Sequence, residues 1–117
     1  MVDINLSPYL QEKVKQAQNI QQQLESIIAQ KYQIDLKIKE IEKTLEELGK
    51  VEENQKIYKM SGSILVEVKD REKLKKEFED EKEMLSIRSN TLEKQKKLLE
   101  EKYAEIEKEF EEAYKKQ

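Results

Sequence analysis

KIYKMSGSILVEVK, residues 56–69, is the stretch that decides the fold of this chain. β-Branched, aromatic and other apolar residues stand on both sides of a glycine, and this pattern predicts a β-hairpin over about residues 56–69. The residues that define it are Ile57, Tyr58, Met60, Gly62, Ile64, Leu65, Val66 and Val68. An isolated two-stranded hairpin is marginally stable in water and has two unpaired edges, so we expect these strands to pair with strands of other chains.

A long helix is predicted before the hairpin, over about residues 8–48. Ser7 can cap its first turn, and Pro8 at the first helical position costs no hydrogen bond. Gly49 is expected to end it as a left-handed cap. Two heptad lines, apolar except at two lysines, predict a coiled-coil seam: Leu10, Ala17, Leu24, Lys31, Ile38, Leu45, and Lys13, Ile20, Ile27, Ile34, Ile41, Leu48. At those core positions, Lys13 and Lys31 are expected to extend their ammonium groups outward or to set the register.

A second long helix is predicted after the hairpin, over about residues 70–115, with Asp70 as its N-cap. One heptad line is apolar throughout: Phe78, Leu85, Leu92, Leu99, Ile106, Ala113. Its companion line is largely polar up to Lys96: Lys75, Lys82, Ser89, Lys96, Tyr103, Phe110. We therefore expect looser packing around residues 82–96.

The two helical arms are nearly symmetric about residue 60, so a turn there folds them antiparallel. This register places Ala17 opposite Tyr103 and Lys31 beside Arg88 and Ser89. The predicted fold class is all-α dominated, a long antiparallel two-helix coiled coil with a short central β-hairpin, forming a single domain over residues 1–117.

Composition excludes several functions. The chain is 42% charged and 36% hydrophobic, too polar for a large globular core, yet its periodic apolar residues argue against disorder. Acidic and basic residues are interspersed along the chain, and the net charge is -3, so no basic face for nucleic acid is expected. No apolar run is long enough for a membrane span, and no signal peptide is recognised, so we expect a cytoplasmic protein. Without Cys or His, and with two glycines, we expect no metal, no cofactor and no enzymatic activity.

Between two coiled-coil arms, the pattern Ile57-Tyr58-Lys59, Gly62 and Ile64 to Val66 resembles the β-class, one-hairpin subunits of the archaeal prefoldin type. The resemblance implies that the hairpin joins an intersubunit β-barrel. It also implies a hetero-hexamer of two α-class and four β-class subunits, from which coiled coils extend. The implied function is an ATP-independent chaperone that captures unfolded proteins at the coiled-coil tips and passes them to a group II chaperonin. A chaperonin contact near the C-terminus is a further implication.

Apolar residues from both chain ends are expected to meet at the tip of the coiled coil. We call them the tip residues: Val2, Ile4, Leu6, Tyr9, Leu10, Phe110, Ala113 and Tyr114. Leu10 and Phe110 continue the seam and could simply seal its end, whereas Ile4, Leu6 and Tyr114 lie beyond or beside it, which favours contact with unfolded polypeptides. The alternative function is a structural coiled-coil tether or spacer without client binding, and a helical appendage of a larger machine is a remoter one.

Overall fold

The computed structural model describes residues 7–115. Its elements are helix α1 (Pro8–Lys50), strand β1 (Ile57–Ser61), strand β2 (Ile64–Val68) and helix α2 (Arg71–Lys115). The two strands form an antiparallel two-stranded sheet. The predicted fold class, two long helices with a short hairpin between them, is confirmed.

Both helices begin at the predicted caps. Ser7 Oγ accepts a hydrogen bond from Leu10 N at 3.2 Å, and Asp70 Oδ1 accepts one from Lys73 N at 3.0 Å. Each bond satisfies an N–H of the first turn that has no partner within the helix.

The left-handed cap predicted at Gly49 is wrong, although α1 ends within two residues of the predicted position. Gly49 has no positive φ, and the helix continues to Lys50. The final turn tightens instead, because Val51 N donates to Leu48 O at 3.3 Å in the i→i+3 pattern of a helix terminus. Glycine permits a left-handed cap but does not impose one.

Contacts divide the chain into two units. The terminal unit comprises Met1–Tyr32 and Asn90–Gln117, and the hairpin unit comprises Gln33–Ser89. Within the terminal unit the core residues are Ile20, Ile27, Leu92 and Ile106, and within the hairpin unit they are Ile41, Leu48 and Leu74. On α1 these residues follow the predicted heptad line.

The α2 seam departs from the prediction at its start. Lys75 is exposed, and its neighbour Leu74 is buried at 8% relative exposure between the half-buried Arg71 and Phe78. In the middle of α2, Leu92 of the apolar line is buried as expected, and Ser89 of the polar companion line is buried as well. The burial of Ser89 is offset by a hydrogen bond from its Oγ to Asp35 Oδ1 at 2.7 Å.

Two pairs depart from the predicted register by about one helical turn. Tyr103 lines a cavity with the predicted partner Ala17, but its OH accepts a hydrogen bond from Gln21 Nε2, and Lys31 Nζ lies 3.9 Å from Glu93 Oε2. Ser89 pairs with Asp35, four residues beyond the predicted Lys31 along α1. The reason is the position of the turn: Ser61 pairs with Ile64, so the turn lies at residues 62–63, beyond residue 60. In an antiparallel pair, moving the turn by one residue along the chain shifts the partner of every residue by two positions.

Candidate functional site

The β-hairpin is the first candidate interaction surface. Ile57 pairs with Val68, Lys59 with Val66, and Ser61 with Ile64 across the sheet. The turn consists of Gly62 and Ser63, of which only Gly62 has a positive φ, 62°. A positive φ at the first central position alone is typical of a type II′ turn, which suits the right-handed twist of hairpin strands.

Most apolar side chains of the hairpin are exposed in the single chain. Met60 and Leu65 are each 65% exposed, whereas Ile57 and Val68, at the helix end of the strands, are half-buried. Alternation along the strands places Ile64, Val66 and Val68 on one face and Tyr58, Met60 and Leu65 on the other. Both faces are therefore largely apolar and available for contact.

Both backbone edges of the hairpin are open in the described chain. In an antiparallel hairpin closed by a two-residue turn, the residues flanking the turn exchange both backbone hydrogen bonds, and every second pair does the same. The N–H and C=O groups of Tyr58 and Met60 thus point away from β2, and those of Leu65 and Glu67 point away from β1. Unpaired groups in such a row can accept a further strand.

The edge of β1 opens onto a groove of about 780 Å³ in the hairpin unit, in which charged and polar side chains surround an apolar floor. Tyr58 and Met60 line it from the strand, and Leu48, Leu74 and Phe78 line it from the helices. A strand added to β1 could therefore place alternate side chains against an apolar floor. Leu74 is absent from the sequence-based lines, although its spacing from Phe78 could have indicated it.

Arg71 fixes the connection between α1 and the hairpin. Its Nη1 donates to Val51 O at 2.8 Å, and its Nη2 donates to Glu52 O at 2.7 Å. Gln55 closes the same loop, because its N donates to Glu52 O while its Oε1 accepts from Glu52 N. Sequence reasoning missed Arg71, since no local pattern shows which carbonyls a guanidinium will reach.

The helix ends of the terminal unit form the second candidate surface. Tyr9 OH donates to Glu109 Oε2 at 3.0 Å, and Lys13 Nζ lies 3.3 Å from the same oxygen. The Lys13 ammonium also lies 5.4 Å from the centroid of the Tyr9 ring, within cation–π range. These contacts join the two helices, and they account for a lysine at a core position.

The structure places five of the eight tip residues. Leu10, Phe110 and Ala113 are half-buried, whereas Tyr9 and Tyr114 are 60% and 52% exposed. Val2, Ile4 and Leu6 lie outside the described residues. Tyr9 and Tyr114 thus leave apolar ring surface uncovered at the helix ends, beside the half-buried seam residues Leu10 and Phe110.

Residues 7–115 contain no group of three or more Asp or Glu side chains placed to hold a metal ion. Over the same range, no buried side-chain N or O atom lacks a hydrogen-bond partner. Neither described helix is long and apolar enough to cross a membrane.

Comparison with known proteins gives a consistent result. A family model described as "Prefoldin subunit" matches residues 11–117. The chain is 49% identical over 114 residues to "Prefoldin subunit beta" of Thermoplasma volcanium, covering 97% of this chain and 92% of the relative. It is 48% identical over 106 residues to "Prefoldin subunit beta" of Thermoplasma acidophilum, covering 91% and 86%.

A solved structure agrees with these relatives. The crystal structure of the prefoldin beta subunit from Thermococcus strain KS-1 superposes with a TM-score of 0.84 at 31% sequence identity, covering 93% of this chain and 95% of that chain. The shared features are the two long helices and the single hairpin between them. The chain therefore belongs to the prefoldin family of chaperone subunits, as a member of its one-hairpin β class.

Proposed function

We propose that this chain captures non-native polypeptides with its tip residues, as one subunit of a hetero-oligomer, and passes them to a group II chaperonin without using ATP. The observation that supports this is the exposure of two tip residues at the helix ends: Tyr9 is 60% exposed and Tyr114 is 52% exposed. Apolar groups left uncovered in this way usually mark interaction sites.

Weak individual contacts suffice for capture when several subunits act together. Burying one large apolar side chain against a client contributes roughly 1.5–3 kcal/mol before ordering costs. A single tip therefore binds weakly and releases quickly. Linked tips raise the effective concentration at the next contact, so the assembly holds a client that one chain cannot.

The hairpin supplies the assembly surface in this proposal. Prefoldin β subunits form oligomeric complexes with other prefoldin subunits. The open backbone edges at Met60 and Leu65, and the apolar floor of the groove beside β1, support strand pairing with neighbouring subunits into an intersubunit β-barrel. The partners we propose are α-class subunits and further copies of this chain, in a hexamer of two α and four β subunits.

The chaperone acts without catalysis in this proposal. General acid–base catalysis needs paired carboxylates enclosed in a pocket, whereas Glu40, Glu47, Glu77 and Glu81 beside the groove of the hairpin unit are all exposed. Nucleotide, metal and nucleic acid have no part in it, and a single domain over residues 1–117 acts in the cytoplasm.

The test is suppression of aggregation by the assembled oligomer. Removing residues 1–6 and 111–117 should greatly weaken protection of a chemically unfolded client, while light scattering and circular dichroism show unchanged mass and helicity. A matched pair sharpens the test: Tyr114→Ser should lower protection, whereas Tyr32→Ser should not. Tyr32 is 61% exposed on the same unit but lies away from the helix ends.

Full protection by the truncated oligomer would place client binding elsewhere. An intact oligomer that never protects any client would instead favour the structural tether.

A further inference from the structure

A cavity of about 220 Å³, partly open to solvent, lies between the two helices within the terminal unit. Its apolar lining comes from Val14, Ala17, Tyr103, Ile106 and Phe110. Ala17 is the small residue in this lining, and its short side chain leaves space opposite the larger groups of α2. Of the lining residues, only Phe110 belongs to the tip residues.

Polar contacts between the helices lie on both sides of the cavity. On the side of the helix ends, Glu109 binds Tyr9 and Lys13. On the other side, Gln21 Nε2 donates to Tyr103 OH at 3.0 Å. These bonds hold α1 and α2 together around the cavity.

The cavity is large enough for one apolar side chain. An apolar cavity of ~150 Å³ in a protein core accepts benzene. A volume of about 220 Å³ therefore accommodates a leucine or phenylalanine side chain. Gln18 and Gln21 also line the cavity, and their amides can donate to and accept from a peptide backbone.

The surroundings of the cavity are acidic. Glu107 lines it and is exposed, and residues 100–112 of α2 contain seven glutamates but only two lysines. The facing stretch of α1, residues 9–21, adds one glutamate and two lysines. A segment with basic residues beside its apolar side chain is therefore complementary in charge to this site. Because these charges are exposed to solvent, added salt screens their attraction.

We propose that this cavity is a client subsite, which takes one leucine- or phenylalanine-sized side chain from a polypeptide segment that has Lys or Arg next to it. The inference rests on the proposed function, because it specifies which client segments the tip binds. It adds a preference that exposed apolar side chains alone do not provide.

The test uses synthetic peptides and the assembled oligomer. One peptide carries a single Phe flanked by lysines in a Gly/Ser background, a second carries Phe flanked by glutamates, and a third carries Ala flanked by lysines. Fluorescence anisotropy should show that the first binds about tenfold tighter than either of the others at low salt, and that its advantage over the glutamate peptide shrinks as salt rises.

Two variants locate the binding. Ala17→Leu fills the cavity and should weaken binding of the lysine-flanked Phe peptide by about tenfold. The matched control Ala29→Leu, at an exposed position of α1, should leave binding unchanged. Glu107→Lys should reduce the preference for the lysine-flanked over the glutamate-flanked Phe peptide. Because Glu107 is exposed, this change should not disturb folding.

Equal binding by Ala17→Leu and the parent, or no discrimination between the two Phe peptides, would overturn the subsite. In either case the proposed tip capture stands if truncation of residues 1–6 and 111–117 still abolishes client protection. If the parent oligomer neither binds the peptides nor protects a client, the proposed function fails together with the subsite.

Discussion

Replacing Arg71 by alanine should destabilise the hairpin unit more than any other single change on its polar surface. The guanidinium donates to two neutral carbonyls, Val51 O at 2.8 Å and Glu52 O at 2.7 Å. Hydrogen bonds from a charged group contribute about 1.5–3 kcal/mol each when buried, and solvent competition lowers this value here because Arg71 is only half-buried. We expect a loss of roughly 1.5–3 kcal/mol for the pair.

Thermal unfolding followed by circular dichroism measures this loss. At ~4 °C per kcal/mol for a chain of this size, Tm should fall by roughly 6–12 °C at fixed protein concentration. Arg71→Lys should lose about half as much, because a lysine ammonium lacks the fork that reaches two carbonyls at once. Lys73→Ala, which removes a neighbouring exposed side chain, is the matched control and should change Tm by little.

Amide hydrogen exchange localises the effect. In Arg71→Ala the amides of residues 51–55 should lose protection first, because their loop is then closed only by the bonds between Glu52 and Gln55. A Tm within about 1 °C of the parent would refute the reasoning, since it would mean that water replaces the guanidinium without cost.

Three further predictions concern assembly through the hairpin, the two glycines, and the independence of client protection from nucleotide and metal. Val66→Asp should dissociate the oligomer in light scattering while retaining helicity, because a charge is unfavourable in a strand interface; unchanged mass would contradict assembly through the hairpin. Gly62→Ala should cost roughly 1–2 kcal/mol, because its φ of 62° is strained for a side chain although nothing lies near the added Cβ. Gly49→Ala, within α1 and equally open, should instead stabilise by about 0.5–1 kcal/mol in the same denaturant titration, and equal effects at both glycines would show that backbone conformation is not the cause. Adding ATP or a chelator should leave client protection unchanged, and a reproducible nucleotide effect would require a binding site that the proposal lacks.

Local signals in the sequence determined the elements of this protein. The cap at Ser7, the cap at Asp70 and the heptad line through Ile20 and Ile41 are each defined by residues within a few turns of one another. The hairpin is equally local, since Gly62 and the apolar residues around it define the turn and both strands. Such patterns are readable because helix and strand periodicity act over short separations along the chain.

The same local reading predicted the tip residues and the hairpin residues as interaction surfaces, because their apolar patterns lie at the ends of the seam and on an isolated hairpin. It could not show how far those surfaces are covered. The contact of Tyr9 with Glu109 joins residues 100 positions apart, and the cavity beside Ala17 is closed by pairs such as Gln21 and Tyr103, which are 82 positions apart.

Tertiary structure alone decided the register. The two heptad lines of α1 alternate at spacings of three and four residues, so a shift of one turn exchanges one apolar line for the other and the hydrophobic pattern alone does not fix the alignment. The position of the turn at residues 62–63 and the specific pairs Gln21–Tyr103 and Asp35–Ser89 select one alignment. Interhelical contacts form only once the two helices lie side by side. That alignment buries Leu74 in the seam where the sequence pattern predicted Lys75, and it brings Arg71 to the carbonyls of Val51 and Glu52.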